Sequence, residues 1–469
     1  MNKIGNKIQI PAILKEFYKV FNNAGFKAYL VGGAVRDIFL NKEAHDWDVA
    51  TNATPQDVMK IFKFVVPTGF EHGTVTVHFM KKEIEVTTFR TESGYSDGRH
   101  PDKVNYAATI EEDLSRRDFT MNAIAVDLSD GKIVDPYDGK GDIKRKLIKT
   151  VGKAEERFME DGLRPIRAIR FASQLNFKIE EKTLCALENP EIFKKITSIS
   201  VERFRDELMK LLKTQKPSDG LKLMEKYSIL DFFMPQMSNC RNCIQTDDRG
   251  YHVFDVMDHC FYACDGAPAE KPIVRLAALF HDCGKPESKT EKCENGLKIY
   301  NFFSHEIISA KKAKEIMIKL KFSNNEIEQV CHLIENHMFN YKSEWKNSAV
   351  RRFIVKVGKE NIENLFDLRL ADMYGKYNEN VRIHDSAACA LLIEFSDRIK
   401  KVEEEKSALS LKDLAVNGND LIKCGIPSGK QIGIILNEIF NTVLEDPQMN
   451  EKEKLLKIAL NLKEKFCGA

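Results

Sequence analysis

The sequence predicts an α+β protein: an N-terminal α/β head ending near residue 145, followed by an all-helical remainder. Three observations carry this. Short β-branched runs with alternating polarity concentrate before residue 145. A Gly-Gly turn there joins a strand pattern to a helix pattern. Beyond it strand signals almost vanish, and apolar residues recur at i, i+3, i+4 in Phe158 to Leu175, Val201 to Leu212 and Ala310 to Leu320. At 469 residues the chain is too long for one core and should divide into three or four domains.

The elements of the head follow in order. Residues 12 to 24 have helical apolar spacing, and Ala28 to Val31 reads as a short buried strand ending in Gly32-Gly33. The DWDVA run (46 to 50) comes next, then strands from Thr74 to Phe79 and from Glu83 to Phe89. The turn-rich stretch GYSDGRHPD, 94 to 102, predicts a mobile loop. The chain then returns to helix and strand through Asp135-Pro136-Tyr137. The run KKVEEEK, 400 to 406, reads as a solvated helix face.

Composition excludes some classes. With 43% hydrophobic and 30% charged residues, the chain is ordinary for a globular protein, and no apolar run approaches the roughly 20 residues of a bilayer span. The N-terminus lacks an apolar h-region and a small-residue cleavage site, which predicts a cytoplasmic protein with no membrane partner. Eleven cysteines without a regular framework fit reduced thiols. Cys240 and Cys243 form a lone CxxC, read as incidental because no second pair stands at zinc-site spacing. The net charge of +2 conceals a basic stretch, 142 to 216, with 18 Lys/Arg against 12 Asp/Glu. That stretch could face a polyanion, although solvated helices carry similar surpluses.

Asp46 and Asp48 flank a single tryptophan, so on an extended segment their carboxylates share a face and can hold two divalent cations. Such a pair, roughly 3.5–4 Å apart, activates an attacking hydroxyl and neutralises a leaving pyrophosphate. Glu85 would complete the ligand set if its strand pairs beside the DWD strand. Gly32 and Gly33 open the helix that carries Arg36 and Asp37, where backbone N–H groups can cradle a triphosphate. An isolated DxD is most often a surface turn. The GGxxRD run just upstream reverses that reading.

Here the sequence resembles the class II tRNA nucleotidyltransferase and bacterial poly(A) polymerase superfamily, through LVGGAVRD (30 to 37) and DWDVAT (46 to 51). The likeness continues through RRDFTMNAIAVD (116 to 127), DPYDG (135 to 139), EDGLRPIRAIRFASQLNF (160 to 177) and SVERFRDELMKLL (200 to 212). The resemblance implies a nucleotidyltransferase head with helical neck, body and tail domains. It makes Asp46 and Asp48 ligands of catalytic Mg2+, with Arg117 beside them; Glu85 joins the catalytic set on its strand position alone. Arg117, Asp118, Thr120 and Asn122 would contact the nucleotide's sugar and phosphates.

Base choice is the next question. A helix beginning near Glu160 would set Asp161, Arg164 and Arg167 on one face, with Arg170 a turn further on. Cytosine and adenine each offer an amino donor beside a ring-nitrogen acceptor, while uracil and guanine offer the reverse. A carboxylate only accepts and a guanidinium only donates, so a wrong base leaves charged groups unpaired at about 1–3 kcal/mol. The family's EDxxR motif, understood as an amino-acid template for CTP and ATP, maps onto Glu160, Asp161 and Arg164. Pro165 is tolerated if it falls in the first helical turn.

The C-terminal half carries a second pattern. His281-Asp282 follows the apolar run Val274 to Phe280, with His259 upstream and Asp372 downstream. This order resembles the HD metal-dependent phosphohydrolase superfamily, in which longer patterns add ligands where His305 and His337 stand. His252 is either a neighbour of the ligands or incidental. Imidazole with carboxylate suits Mn, Fe, Co, Ni or Zn. Residues 414 to 439 resemble the tail that follows HD modules in bacterial CCA-adding enzymes, a tRNA contact.

These readings divide the chain at 1–145 (head), 146–245 (neck and body), 246–375 (HD domain) and 376–469 (tail). They predict addition of CMP and AMP from CTP and ATP to tRNA 3′ ends. Rival readings are an enzyme adding only CC, only A or a poly(A) tail, an HD phosphohydrolase with a degenerate head, and a purely RNA-binding protein. The sequence carries no signal for oligomeric state.

Overall fold

The computed structural model describes residues 3–4, 7–44, 46–93, 103–250, 252–376, 386–405 and 408–467. The turn-rich run 94–102 and Lys406 lie outside them. Two compact units are present, one of residues 1–235 with 319–321, the other of residues 236–318 with 322–469.

The first unit is built on a seven-stranded mixed sheet. Its strands in chain order are β1 (Ala28–Val31), β2 (Trp47–Thr51), β3 (Val65–Gly69), β4 (Thr74–Phe79), β5 (Lys82–Thr88), β6 (Ala125–Asp127) and β7 (Ile133–Val134). Spatial order is β7-β6-β1-β2-β5-β4-β3. Only β2 and β5 run parallel, and their register sets Asp48 opposite Glu85, as expected of the third carboxylate. Helix α1 (Ala12–Asn23) turns Leu14, Phe17 and Phe21 inward at helical spacing. Phe17 stacks on Phe62 at 4.7 Å and meets Phe79 edge-on at 5.2 Å. The short helix α2 (Gly33–Phe39) starts directly after β1.

Beyond the sheet this unit is helical, with one departure from expectation. Phe158 to Leu175 is two helices, α3 (Ala154–Glu160) and α4 (Leu163–Leu175), broken at Asp161-Gly162. Asp161 is extended, at φ −144° and ψ 113°. Gly162 packs so tightly on helix α5 (Pro190–Thr197) that a Cβ would lie 2.1 Å from the Lys195 carbonyl oxygen. Asp161 therefore does not share a helical face with Arg164 and Arg167. Pro165 remains in the first turn, where no intrahelical N–H is lost. Helix α6 (Val201–Leu212) has the expected bounds. The remainder is not strand-free: β8 (Leu147–Ile148) pairs in parallel with β9 (Lys178–Ile179), clasping the ends of the segment that holds α3 and α4.

In the second unit, helices α7 (Val256–Gly266), α8 (Pro272–Phe280), α9 (His305–Lys319), α10 (Asn324–Asn336) and α11 (Ile362–Lys376) surround one core. Close approach of α7 and α11 requires a glycine, since a Cβ on Gly375 would lie 2.7 Å from the His259 carbonyl oxygen. A hairpin of β10 (Lys289–Glu294) and β11 (Leu297–Phe302) interrupts the helices. Its loop, Asn295-Gly296, has φ of 53° and 77°, the double left-handed geometry of a type I′ turn. The C-terminal part packs Leu421, Ile435, Ile439, Val443 and Leu455 into a separate cluster. No helix among the described residues is long and apolar enough to cross a membrane.

Candidate active site and metal centre

A cavity of about 720 Å³ opens in the first unit. Asp46, Asp48 and Glu85 line one part of it, and Asp161, Arg164, Arg167 and Arg170 line another. Asp46 stands just before β2 and is exposed, while Asp48 lies within the strand and is partly buried. Burial and the Glu85 carboxylate, reinforced by Asp46, raise the Asp48 pKa to about 6 against the pull of Arg117. Three carboxylates lining one cavity are oxygen donors of the kind divalent cations take.

Gly32 joins β1 to α2 with φ of 71°, in the left-handed region. A Cβ there would stand 3.1 Å from Asp48 Oδ2 and 3.3 Å from Arg117 Nη1. The glycine thus lets the turn approach both groups. Gly33 and Arg36 also line the cavity. Arg36 donates to Asp37 Oδ1 at 2.8 and 2.9 Å and to Asn122 Oδ1 at 3.1 Å. Asn122 in turn donates to Asp118 Oδ1 at 3.2 Å, and Arg167 holds Asp118 Oδ2 at 2.7 Å. Burial opposes ionisation of Asp118, yet Arg167 and its hydrogen bonds hold the pKa at about 2.

Two expected nucleotide contacts are not on the cavity wall. Thr120 is buried and donates to Asp142 Oδ2 at 2.7 Å. Asp37 pairs with Arg36 instead of facing the cavity. Arg117 does reach the cavity, anchored by Asp113 at 3.2 Å.

The side chains of Asp161 and Arg164 line the same cavity without pairing with each other. Asp161 accepts from the Leu163 N–H at 2.9 Å and from both Nη atoms of Arg203 at 3.0 and 2.7 Å. Arg164 is held by the Glu160 carboxylate and by the carbonyl oxygens of Arg157 at 3.2 Å and Arg116 at 3.3 Å. Deeper along α4, Arg170 packs on Phe171 at 3.6 Å and pairs with buried Glu207 at 2.8 Å. The sequence reading assigned no role to Arg203 or Glu207, although both lie in the SVERFRDELMKLL run.

In the second unit, four of the expected ligands converge. Nε2 of His259 lies 3.1 Å from His281 Nε2, 3.0 Å from Asp282 Oδ2 and 3.4 Å from Asp372 Oδ1. His305 Nε2 and His337 Nε2 approach the other Asp282 oxygen at 3.1 and 3.8 Å. Two donor groups result, {His259, His281, Asp282, Asp372} and {Asp282, His305, His337}, sharing Asp282. The Nδ1 atoms of His281, His305 and His337 point at the carbonyl oxygens of Ala278, Phe302 and Ile334, 2.6–2.8 Å away. In the neutral tautomer that donates there, each Nε2 keeps a bare lone pair, the ligand form of imidazole. His305 Nε2 is buried without a hydrogen-bond partner. So many converging acceptors fit a cation. Burial opposes charge on His281, but Asp282 and Asp372 hold its pKa well above 6.5, so that without a cation its Nε2 carries a proton that a metal would displace. Burial and His281 lower that of His337 to about 3.

The sheet, the carboxylate rim and the facing arginines define a nucleotidyltransferase of the polymerase-head class. Residues 28–149 match the model "Poly A polymerase head domain", 176–240 "Probable RNA and SrmB- binding site of polymerase A", and 292–459 the tRNA nucleotidyltransferase domain 2 model. The chain is 34% identical to a CCA-adding enzyme of Lactobacillus johnsonii over 98% of its own length and 100% of that protein. It is also 34% identical to one from Enterococcus faecalis, covering 96% of each. A crystal structure of the Bacillus stearothermophilus CCA-adding enzyme in complex with CTP superposes with a TM-score of 0.73 at 27% identity, covering 97% of this chain and 99% of that one. The chain belongs to the CCA-adding enzyme family.

Proposed function

We propose that this protein adds CMP and AMP to the 3′ end of tRNA in the cytosol, using CTP, ATP and Mg2+. The observation that carries the reading is that Asp46, Asp48 and Glu85 share one cavity with Asp161 and Arg164. Mg2+ held by the three carboxylates would supply charge neutralisation and activation of the tRNA 3′ hydroxyl. The hydroxyl oxygen attacks the α-phosphorus and pyrophosphate leaves. Gly32, Gly33, Arg36 and Asn122 flank the path of the phosphates, with Arg117, Asp118 and Arg167 beside them.

Base choice follows from the acceptors and donors left over. Leu163 and Arg203 occupy three of the roughly four acceptor sites of the Asp161 carboxylate. One remains, suited to the amino group of cytosine or adenine. Arg164, fixed by Glu160 and two carbonyls, offers its remaining N–H groups to the ring nitrogen. Relatives named CCA-adding enzymes support the same reading.

The second unit supports a further metal-dependent hydrolase of the HD type, with His259, His281, Asp282, His305, His337 and Asp372 holding Mn, Fe, Co, Ni or Zn. A metal-activated water would act on a phosphomonoester or a 2′,3′-cyclic phosphate. In this reading the chain comprises a head (1–145), neck and body (146–245), HD domain (246–375) and tRNA-binding tail (376–469).

Gel analysis of tRNA transcripts ending before CCA, at C and at CC, with CTP, ATP or both, tests the assignment. All three should be completed to CCA. Extension stopping at CC, adding only A, or continuing as a tail would replace it with one of the narrower readings. Arg164→Ala should narrow the preference for CTP and ATP over UTP and GTP by about tenfold or more. An unchanged four-nucleotide ratio contradicts the assigned role.

A further inference from the structure

The short helix Ile110–Ser115 carries a carboxylate that stands outside the wall of the nucleotide cavity. Asp113 is fully buried, at 0% exposure, and two guanidinium groups converge on it. Arg116 donates to Oδ1 from Nε at 3.0 Å and from Nη2 at 2.8 Å, and the Arg90 backbone N–H reaches the same oxygen at 3.4 Å. Arg117 takes Oδ2, from Nη2 at 3.2 Å. Burial opposes ionisation of Asp113, but Arg117 and Arg116 hold its pKa below the usual carboxylate range. The rest of the Arg117 guanidinium is loosely held: Nη1 donates to the Asn122 carbonyl oxygen at 3.5 Å, and Nε is buried without a hydrogen-bond partner. That Nη1 also stands beside Asp48. It and Asp48 Oδ2 flank the point where Gly32 lacks a Cβ, 3.3 and 3.1 Å from it.

We infer that Asp113 is a positioning residue that keeps the Arg117 guanidinium off Asp48, leaving the carboxylates of Asp46, Asp48 and Glu85 free for a divalent cation. The inference rests on the reading of those three side chains as a cation site and adds what keeps that site open. One guanidinium stands near two carboxylates, and it can pair with only one of them if the other is to bind metal. Asp113 is the stronger partner because it is dry: its attraction for Arg117 is screened less than that of Asp48, which lines an open cavity. Arg117 stays charged at every working pH, so it cannot relieve the competition by losing a proton. Its field is already felt at Asp48, whose ionisation it favours. Without the Asp113 charge, the same guanidinium is drawn to Asp48 and becomes an internal cation in the metal's place. Held at Asp113, it remains beside the path of the phosphates, where its charge serves the nucleotide.

The test is Mn2+ binding to the full-length protein without nucleotide, followed by the electron paramagnetic resonance of the free ion. Asp48→Asn defines the share of bound Mn2+ that belongs to this site, apart from any held by the second unit. Asp113→Asn should weaken the affinity of that share by about tenfold or more, the effect of one opposing charge within a few ångströms. Adding Arg117→Gln to it should restore wild-type affinity, because the guanidinium that closes the site is gone. A merely structural defect at Asp113 would persist in the double variant. Asp113→Glu, which keeps the charge, should stay near wild type. Asp113→Asn also leaves two guanidinium groups uncompensated and lowers stability. Should it fail to fold, Arg117→Gln alone decides, since it leaves a neutral Asp113–Arg116 pair: its Mn2+ affinity should equal or exceed that of wild type, and a loss of about tenfold overturns the inference. Unchanged affinity in Asp113→Asn, or no recovery in the double variant, also overturns it and leaves the cation site standing. Mn2+ binding indifferent to Asp48→Asn overturns the cation site itself, and the inference with it.

Discussion

Asp48 is flanked in the sheet by Val31, which ends β1, and by Glu85 on β5. Its pKa, raised to about 6 by burial and by Glu85, means that the folded protein binds a proton there more tightly than the unfolded chain does. Stability from this group is therefore full below about pH 4 and declines as pH rises through about 6. A divalent cation held by these carboxylates would take over the proton's role and reverse the trend. Calorimetry should show Mg2+ raising Tm more at pH 7.5 than at pH 5, and Asp48→Asn should flatten the difference. A Mg2+ effect independent of pH contradicts this. That Asp46 and Asp48 would line one cavity was legible in the sequence from their spacing; Glu85 joins them through a strand pairing that its own run does not encode. The clamp of Arg203 on Asp161 was not, since it spans 42 positions and no local periodicity encodes it. Thr120 was misplaced for a related reason: its motif specifies the residue but not its buried partner, Asp142.

At the scale of elements, the turn between α3 and α4 decides where Asp161 points. Apolar spacing runs unbroken from Phe158 to Leu175, so periodicity alone reads one helix, and Gly162 was the available sign of a break. Adding a methyl there pushes against the Lys195 backbone carbonyl, which cannot rotate away. Gly162→Ala should cost about 1–3 kcal/mol of stability and also reduce discrimination against UTP and GTP, because Asp161 must shift. Thermal denaturation and four-nucleotide incorporation check the two effects together. A variant with wild-type Tm and selectivity would show that the turn tolerates a side chain. The β10–β11 hairpin was missed although Asn295-Gly296 is a strong type I′ signal. Its flanking strands are mostly exposed and carry little apolar alternation, so the run resembles a loop.

For the whole molecule, the carboxylate-lined cavity lies in one compact unit and the His/Asp donor cluster in the other. Asp48→Ala is expected to remove nucleotide transfer by at least about a hundredfold while phosphomonoester hydrolysis continues. His281→Ala should do the opposite. Loss of both activities in either variant, with Tm unchanged, contradicts independent centres. The α+β class was readable from the change of periodicity near residue 145. Strand order was not, because β6 and β7 return to the side of β1 opposite β2, and single-strand patterns do not name their neighbours.

That return has a consequence for synthesis. Residues 29–31 of β1 find their outer partners only at 125–127. A ribosome elongating at roughly 5–20 residues per second leaves this apolar edge bare for on the order of ten seconds. Throughout that interval the nascent head presents unpaired backbone groups, a template for joining a neighbouring chain.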